Sequence, residues 1–321
     1  MNKAIPPLQL IRVFARYALA TALAIHAFVL LFPLELPFPG LSQLNTDYGD
    51  FLPAEIFRLT VGIAKAGYQA AIGLALLGAV LLLFFRRTAT LGALVASGLL
   101  LNIVLANYAY DLGDQLFSLF LFAVSVFILS YDLPRMYRLM LEKPVTAGNS
   151  QVLLTEKWQQ QLRIALKALF IVFLLGYGSF VFASYQNKLK AEHHEVVKNI
   201  DGLYNVKEFR INNTPVPYSK TNPLRWQDVV FEKAGKLSIS AGTAPRKYYS
   251  YSADTTRHIL NLESEAPGKT PEKITLNYSR PDSVTLLLSG TNGPGDTVHA
   301  VLEKINKKYL LIEGRRKPIK L

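Results

Sequence analysis

The first 184 residues contain five long apolar runs, whereas later residues alternate between apolar and polar positions. The runs lie near 14–34, 66–85, 88–108, 115–131 and 164–184. About 20 helical residues, each rising 1.5 Å, cross a hydrocarbon core of about 30 Å, so each run predicts a transmembrane helix. A short amphipathic stretch near 54–64 predicts a helix that lies on the outer interface of this bilayer and does not cross it.

From Gly202 onward the apolar period changes to two, which is typical of β-strands. The nine strand candidates are 203–212, 228–233, 236–241, 246–252, 257–263, 272–279, 283–289, 297–305 and 308–313. Turn residues separate several of these strands and no helix intervenes, which favours an antiparallel meander. The meander could close into an up-and-down barrel or form a sandwich.

The predicted fold class is therefore a membrane α-helical bundle, of four spans plus a fifth, followed by an all-β antiparallel domain. The predicted domains are a bundle over 1–145, a fifth span with a charged stalk over 146–200, and the β-domain over 201–321. The stalk is a helical continuation of mixed charge at 187–199.

Basic residues alternate with acidic ones between the runs. Lys3, Arg12 and Arg16 precede the first run, and Arg86 and Arg87 follow the second. Residues 34–55 and 110–114 carry only acidic charges. Short basic loops remain cytoplasmic, so the pattern predicts a cytoplasmic N-terminus and an extracytoplasmic β-domain.

The net charge of +12 is concentrated in the tail. Residues 185–321 carry 22 Lys and Arg against 14 Asp and Glu, a formal charge of +8. A translocated domain meets no nucleic acid routinely, so anionic lipid head groups or acidic glycans are the expected counterparts, or the charge simply keeps the domain soluble. The chain has no Cys, which excludes disulfides and thiol chemistry.

Several motifs carry a resemblance to a known family. In the bundle they are Arg86–Leu94, Asn107–Asp111, Leu116–Ser118 and Asp132–Arg135; in the tail they are Gly202–Val206 with Phe209, and Pro223–Trp226. The chain resembles the DoxX-like membrane proteins, in particular a bacterial subgroup with an extra span and a periplasmic lipocalin-like β-domain.

The resemblance implies residence in the bacterial cytoplasmic (inner) membrane. Some relatives are linked to quinone or thiosulfate oxidation and to membrane-bound redox complexes. Relatives often carry a Lys late in the first span and a Glu midway along the second, whereas this chain has Leu30 and Leu76 there. These two differences weaken any proton-handling or quinone-binding role taken over from the family.

Polar residues in the spans share a depth in the outer half of the bilayer. Such groups are expected to point into the bundle or into a cavity that is open to the outside. The predicted ligand-binding residues are His26, Gln69, Asn102, Asn107, Tyr110, Asp111, Ser118 and Tyr177. The alternative is that these side chains only hydrogen-bond the helices together. No cofactor is visible in the sequence, although a quinone or a lipid would suit such a site.

No catalytic signature and no metal motif are present in the sequence. Glu192–Glu195 contains two adjacent His residues, but neighbouring residues on a helix point about 100° apart, so a solvated stalk is favoured over a metal site. Tyr248, Tyr249, Tyr251 and Trp226 are predicted to be core residues, or alternatively to line a barrel mouth.

Three functions remain, and the first is favoured because no chemistry is visible. The first is a membrane anchor or accessory protein that presents the β-domain to an envelope or membrane complex. The second is a membrane subunit of a quinone-linked oxidoreductase. The third is a lipid or hydrophobic small-molecule carrier whose barrel receives a ligand. The expected partners are the lipid bilayer and other membrane or envelope proteins.

Overall fold

The computed structural model describes residues 7–32, 34, 36–64, 66–141, 157–192, 196–197, 199–265, 271–292 and 295–316. The chain forms two compact units. The helical unit comprises Met1–Pro37 and Leu52–Gln186, and the β-unit comprises Phe38–Phe51 and Asn187–Leu321. The sequence assigned Phe38–Phe51 to the bundle; we call it the inter-helix segment, and its contacts lie in the β-unit.

Seven helices of the helical unit are described. They are α1 (Pro7–Leu31), α3 (Pro53–Ile63), α4 (Ala66–Phe84), α5 (Ala89–Tyr110), α6 (Gln115–Ser130), α7 (Leu133–Met140) and α8 (Lys157–Glu192), with α2 (Leu41–Leu44) in the inter-helix segment. Among the described residues, four stretches are long and apolar enough to cross a membrane: Ile11–Leu31, Gly67–Phe84, Ala89–Tyr110 and Ile164–Ala191. The predicted membrane-spanning helical architecture is confirmed, and α6 is a shorter apolar helix of 16 residues.

Small residues allow the helices of the bundle to approach closely. Ala20, Ala24 and Ala27 of α1 are fully buried. A Cβ atom added at Gly73 of α4 would lie 2.8 Å from the Ala27 carbonyl oxygen, and one added at Gly92 of α5 would lie 2.6 Å from the nitrogen of Leu83. Close backbone contact is the main way in which helices associate in lipid, so these glycines are packing residues.

The β-unit contains a closed antiparallel barrel of eight strands. The strands are β1 (Gly202–Ile211), β3 (Trp226–Glu232), β4 (Lys236–Ala241), β5 (Ala244–Asp254), β6 (Ile259–Ser264), β7 (Lys273–Ser279), β8 (Thr285–Thr291) and β9 (Thr297–Ile305). A two-residue strand, β2 (Thr214–Pro215), pairs with the end of β1. In the barrel, β1 pairs with β3, and each strand from β3 to β8 pairs with the next one. The ring closes where β9 pairs with β1, from Leu203↔Ile305 to Ile211↔Val298. The all-β prediction is confirmed in its barrel form.

Side chains fill the described interior of the barrel. The Phe231 ring contacts Tyr204 and Tyr251 edge to face, with each pair of centroids 5.7 Å apart. Tyr249 is buried in the same core, and the burial raises the pKa of its phenol. The remaining inward positions are mostly aliphatic, with Phe209 and Tyr278 as further aromatic residues, as the period-two pattern predicts.

Several strand predictions were wrong in detail; for example, the candidate 283–289 lies at Thr285–Thr291. The candidate 308–313 falls largely in a helix, α9 (Leu310–Arg316), because β9 already closes on β1 and leaves no free edge for another strand. The candidate 257–263 begins later, at Ile259, because His258 lies in the preceding turn with φ 59°. The predicted stalk is helical as far as Glu192, and His193 and His194 lie outside the described residues.

Candidate functional site

Four of the eight predicted site residues lie around the turn between α5 and α6. Asn107 is buried, and its Nδ2 donates to the Ile103 carbonyl at 3.0 Å. Asp111 ends α5 with φ 51°, and its Oδ1 accepts from Gln115 Nε2 at 2.6 Å. The Ser118 hydroxyl donates to the Gln115 carbonyl at 3.0 Å. These contacts are local ones that end one helix and begin the next.

Tyr110, the fourth residue of this group, faces a different element. Its ring lies 5.1 Å from that of Phe57 in α3. Both rings line a concavity of about 340 Å³, together with Ile56, Thr60, Val61, Ala64 and Tyr68. The lining is mainly apolar, with one hydroxyl from Thr60 and those of the two tyrosines, so it suits an apolar group with few polar atoms.

Gln69 joins three parts of the helical unit. It lies in the first turn of α4 and is only 4% exposed. Its Nε2 donates to the Leu36 carbonyl at 2.9 Å and to the Val61 carbonyl at 3.2 Å. Leu36 follows α1 and Val61 lies near the end of α3, so one amide fastens both to α4. The Gln69 Oε1 atom is buried and has no hydrogen-bond partner in the described part of the chain.

The other three predicted site residues lie on separate faces. His26 is exposed on α1, where its Nδ1 is 3.0 Å from the Ala22 carbonyl and its ring stacks on Phe117. Tyr177 of α8 packs edge-on against Phe28, with ring centroids 6.0 Å apart. Asn102 is exposed on α5. His26 and Asn102 thus differ from the expectation that they point inward.

Among the described residues, the structure gathers Asn107, Asp111 and Ser118 at one turn, with Tyr110 beside them but facing α3, and leaves His26, Gln69, Asn102 and Tyr177 apart. The ligand-binding role of the eight residues stays a prediction. Leu76 is fully buried in the bundle core, and Leu30 packs against that core. Both positions serve helix packing in this chain.

An ion pair near the other end of the bundle joins three helices. Arg12 of α1 pairs with Asp132, which follows α6, and its guanidinium lies over the Tyr131 ring at 4.8 Å. The Thr90 hydroxyl of α5 donates to the same carboxylate at 2.6 Å. The sequence showed Arg12 only as a topology signal. It did not reveal the ion pair, because the partner lies 120 residues away.

The most connected polar cluster lies in the β-unit, and sequence analysis missed it. Arg246 of β5 donates from Nη1 to Asp228 Oδ1 at 2.8 Å and from Nη2 to Asp228 Oδ2 at 3.1 Å. The two side chains are 5% and 15% exposed. A bidentate arginine–carboxylate pair this well buried is strong and geometrically specific.

Arg246 also binds the inter-helix segment. Its Nε donates to Thr46 Oγ1 at 3.0 Å and its Nη2 to the Asn45 carbonyl at 3.2 Å. Its Nη1 donates to Ser238 Oγ at 3.1 Å, and Ser238 Oγ donates to Ser42 Oγ at 2.7 Å. We call Ser42, Asn45, Thr46, Asp228, Ser238 and Arg246 the Arg246 network. No sequence signal predicted it, because its halves are about 200 residues apart.

A second carboxylate holds the start of α2 on the barrel. The Ser42 backbone N–H donates to Glu232 Oε1 at 2.7 Å. A Cβ atom added at Gly40 would lie 2.6 Å from that same oxygen, so a larger residue there would displace the carboxylate. The negative charge at the N-terminal end of this short helix satisfies one of its unpaired N–H groups.

One further buried arginine lies just before β3 and bonds to backbone carbonyls. Arg225 is 2% exposed and donates to the carbonyls of Val216, Trp226 and Val206 at 3.2, 2.8 and 3.2 Å. Desolvation lowers its pKa from the ordinary arginine value. Carbonyl oxygens thus take the place of a counter-ion, and Trp226 packs on Phe209 beside it.

Another concavity, of about 430 Å³, lies between α2 and the ends of β1, β8 and β9. Its apolar lining includes Leu41, Leu203 and Val284, and its cations are Lys304 and Lys307. Lys307 Nζ donates to Asn45 Oδ1 at 2.9 Å, and Lys304 Nζ lies 5.6 Å from the centre of the Tyr204 ring. Both ammonium groups therefore already have contacts with other residues of the β-unit.

The described residues contain no group of three His, Asp or Glu side chains that could hold a metal ion.

The tyrosines predicted to be core residues or to line a barrel mouth differ in exposure: Tyr249 and Tyr251 are buried, while Tyr248 is 39% exposed. With the described barrel interior filled by side chains, the geometry gives no support to a carrier that holds its ligand inside the barrel.

Comparison with known proteins finds a partial similarity. A stretch of 78 residues is 33% identical to the uncharacterised protein YwoB of Bacillus subtilis strain 168. The match covers 24% of this chain and 51% of the relative, so the chain matches about half of that protein's length. No known protein family and no solved structure matches the chain.

Proposed function

We propose that the protein is a DoxX-like integral membrane anchor that presents an extracytoplasmic β-domain to an envelope or membrane complex. The observation that carries the proposal is the Arg246 network. It binds the segment between two membrane helices to the outer face of the barrel through an arginine that is 5% exposed.

The chain connections support an anchoring role. The two units are joined at Pro37–Phe38, at Phe51–Leu52 and at Gln186–Asn187, so three connections run between them. Attachment of the β-unit to the membrane unit at three points of the chain suits an anchor.

The side of the membrane on which the β-domain lies is inferred from the loop charges and from the contact between the inter-helix segment and the barrel. The alternation of basic and acidic loops predicts that the inter-helix segment is extracytoplasmic. Because that segment packs on the barrel, the barrel belongs to the same side. The location in a bacterial inner membrane comes from the family resemblance.

Sidedness can be tested directly because the chain has no Cys. A Thr256→Cys variant places one thiol in the exposed β5–β6 turn, and Arg87→Cys places one in the predicted cytoplasmic turn after α4. In spheroplasts, a membrane-impermeant maleimide should label only the first variant, and both after lysis. Labelling of Arg87→Cys alone before lysis would place the β-domain in the cytoplasm.

Partner binding is tested by mass spectrometry of the full chain purified in mild detergent. The proposal expects associated envelope or membrane polypeptides whose recovery falls when residues 200–321 are deleted, while membrane insertion continues. Recovery that is independent of the β-domain would assign partner binding to the bundle. Stoichiometric quinone without associated polypeptides would favour the redox alternative, and bound lipid without polypeptides would favour a carrier.

A further inference from the structure

One face of α5 is exposed along its length. Leu94, Gly98, Leu101, Asn102 and Leu105 are all exposed, and at 100° per residue they share an arc of about 100°. The buried residues of α5, such as Ala93, Ala96 and Leu100, lie outside this arc. The exposed arc is available to lipid or to another helix.

Asn102 is the unusual member of this face. It lies eight residues before the end of the span at Tyr110, or about 12 Å along the helix axis. Its side chain makes no hydrogen bond within the described chain, whereas Asn107 on the same helix bonds to the Ile103 carbonyl. Asn102 is therefore a polar group at hydrocarbon depth without a partner in its own described chain.

An amide in hydrocarbon is costly unless it is hydrogen-bonded. The side chain of asparagine is too short to reach the head groups from 12 Å, unlike that of Lys or Arg. The neighbouring Gly98 is open, since a Cβ atom built there meets nothing within 4 Å. A second helix can consequently approach closely, one turn from the amide.

We propose that a second copy of this chain covers this face and that α5 forms a parallel homodimer. Copies inserted with the same topology are related by a two-fold axis along the membrane normal, so each residue faces its equivalent at the same depth. An amide both donates and accepts hydrogen bonds, so Asn102 is complementary to itself across such an axis. The geometry thus pairs the two Asn102 side chains beside two open Gly98 positions.

Cross-linking of single cysteines tests the interface in a chain that has none of its own. Leu105→Cys places a thiol on the proposed face and leaves Asn102 intact. Leu74→Cys is the matched control: Leu74 is 59% exposed on α4 and lies seven residues from Gly67, at a depth of about 10 Å. In native membranes, a short bismaleimide should join Leu105→Cys chains into a product of twice the chain mass, well above the Leu74→Cys background.

Equal cross-linking at the two positions, or a Leu105→Cys product of another mass, would overturn the proposal. The amide is then tested in detergent by measuring the dissociation constant of the dimer. Asn102→Leu should weaken self-association about 3- to 30-fold, while Asn102→Gln, which keeps the amide, should retain most of it. An unchanged dissociation constant for Asn102→Leu, with the monomer folded as before, would overturn the assigned role of Asn102.

Discussion

Inside the membrane helices polar side chains bond mainly to their own helix, whereas the β-unit relies on long-range contacts; Gln69 and Arg12, near helix ends, also join different helices. In the helices, Ser97 and Asn107 bond to carbonyls four residues earlier on the same helix. In the β-unit, Arg246 contacts side chains and backbone about 200 residues away. Local bonding lets each membrane helix form on its own, because lipid offers no hydrogen bonds. The long-range network instead requires the whole β-unit to be assembled.

The two units can be followed separately by two optical signals. Trp226 begins β3, so the fluorescence of a Trp158→Phe variant reports on the β-unit. Circular dichroism in detergent reports mainly on the helical unit, which holds the long helices. Each prediction below is measured with the signal of the affected unit.

The largest effect is expected for Asp228→Ala in the β-unit. The substitution leaves the Arg246 charge buried without its counter-ion, which costs about 3–5 kcal/mol of unfolding free energy. Denaturant unfolding followed by Trp226 measures it. The matched control is Glu303→Ala, which breaks a pair with Lys207 whose side chains are 45% and 60% exposed, and should cost less than about 1 kcal/mol. Equal losses would show that the Arg246 network does not hold the β-unit together.

Gly92→Ala should have the next largest effect, in the helical unit. Its new Cβ would lie 2.6 Å from the Leu83 backbone nitrogen, so α4 and α5 must separate, at a cost of about 1–3 kcal/mol. Gly78→Ala is the control, since a Cβ there meets nothing within 4 Å, and it should be neutral or slightly stabilising. Unfolding in detergent followed by circular dichroism distinguishes them, and similar values for both variants would contradict close packing at Gly92.

Gln69→Leu should destabilise the helical unit less, by about 0.6–2 kcal/mol, because it removes the bonds to the Leu36 and Val61 carbonyls. Asn102→Leu is the comparison. Under dilute conditions where the protein is monomeric, its unfolding free energy should change by less than about 0.5 kcal/mol. A loss for Asn102→Leu as large as that for Gln69→Leu would mean that Asn102 has a partner within its own chain.

The smallest effect concerns acid stability. Asp282 accepts hydrogen bonds from the backbone N–H groups of Thr285 and Val284 and from the Thr285 hydroxyl, which hold its pKa below the usual value. Its contribution is therefore complete above the unfolded pKa of about 3.9 and is lost as the pH falls through the lower folded pKa. Asp282→Asn should flatten the pH dependence of β-unit stability below about pH 4, whereas Thr285→Val should keep most of it because both backbone bonds remain.

Much of the fold could be predicted from the sequence because membrane helices and half-buried strands each have a clear pattern of apolar residues. Long apolar runs predicted the membrane helices, and alternation predicted eight barrel strands. The candidate 308–313 failed because Leu310, Leu311 and Ile312 form a run too short to distinguish strand from helix. Barrel closure, which decides the matter, is a long-range property.

The polar positions were harder to predict. Helices α4 and α5 are apolar on nearly every side, so the sequence does not show which side faces protein. The depth of Asn102 in the membrane could be counted from the sequence. Its exposure could be determined only from the packing of the helices in the structure. Arg246 and Asp228 stand in ordinary strands, and only the register of β3, β4 and β5 brings them to one place.

The contact between Arg246 and Thr46 also constrains the number of membrane crossings. The inter-helix segment follows α1, and the barrel follows α8, yet the two pack together and must share a side. The chain between them must therefore cross the membrane an even number of times. The helices α4, α5 and α8 supply three crossings, while α3 and α7 are too short to cross. Parity thus requires α6 to cross as well. Its 16 residues reach only about 24 Å, a mismatch that local thinning of the bilayer or the residues flanking the helix must absorb.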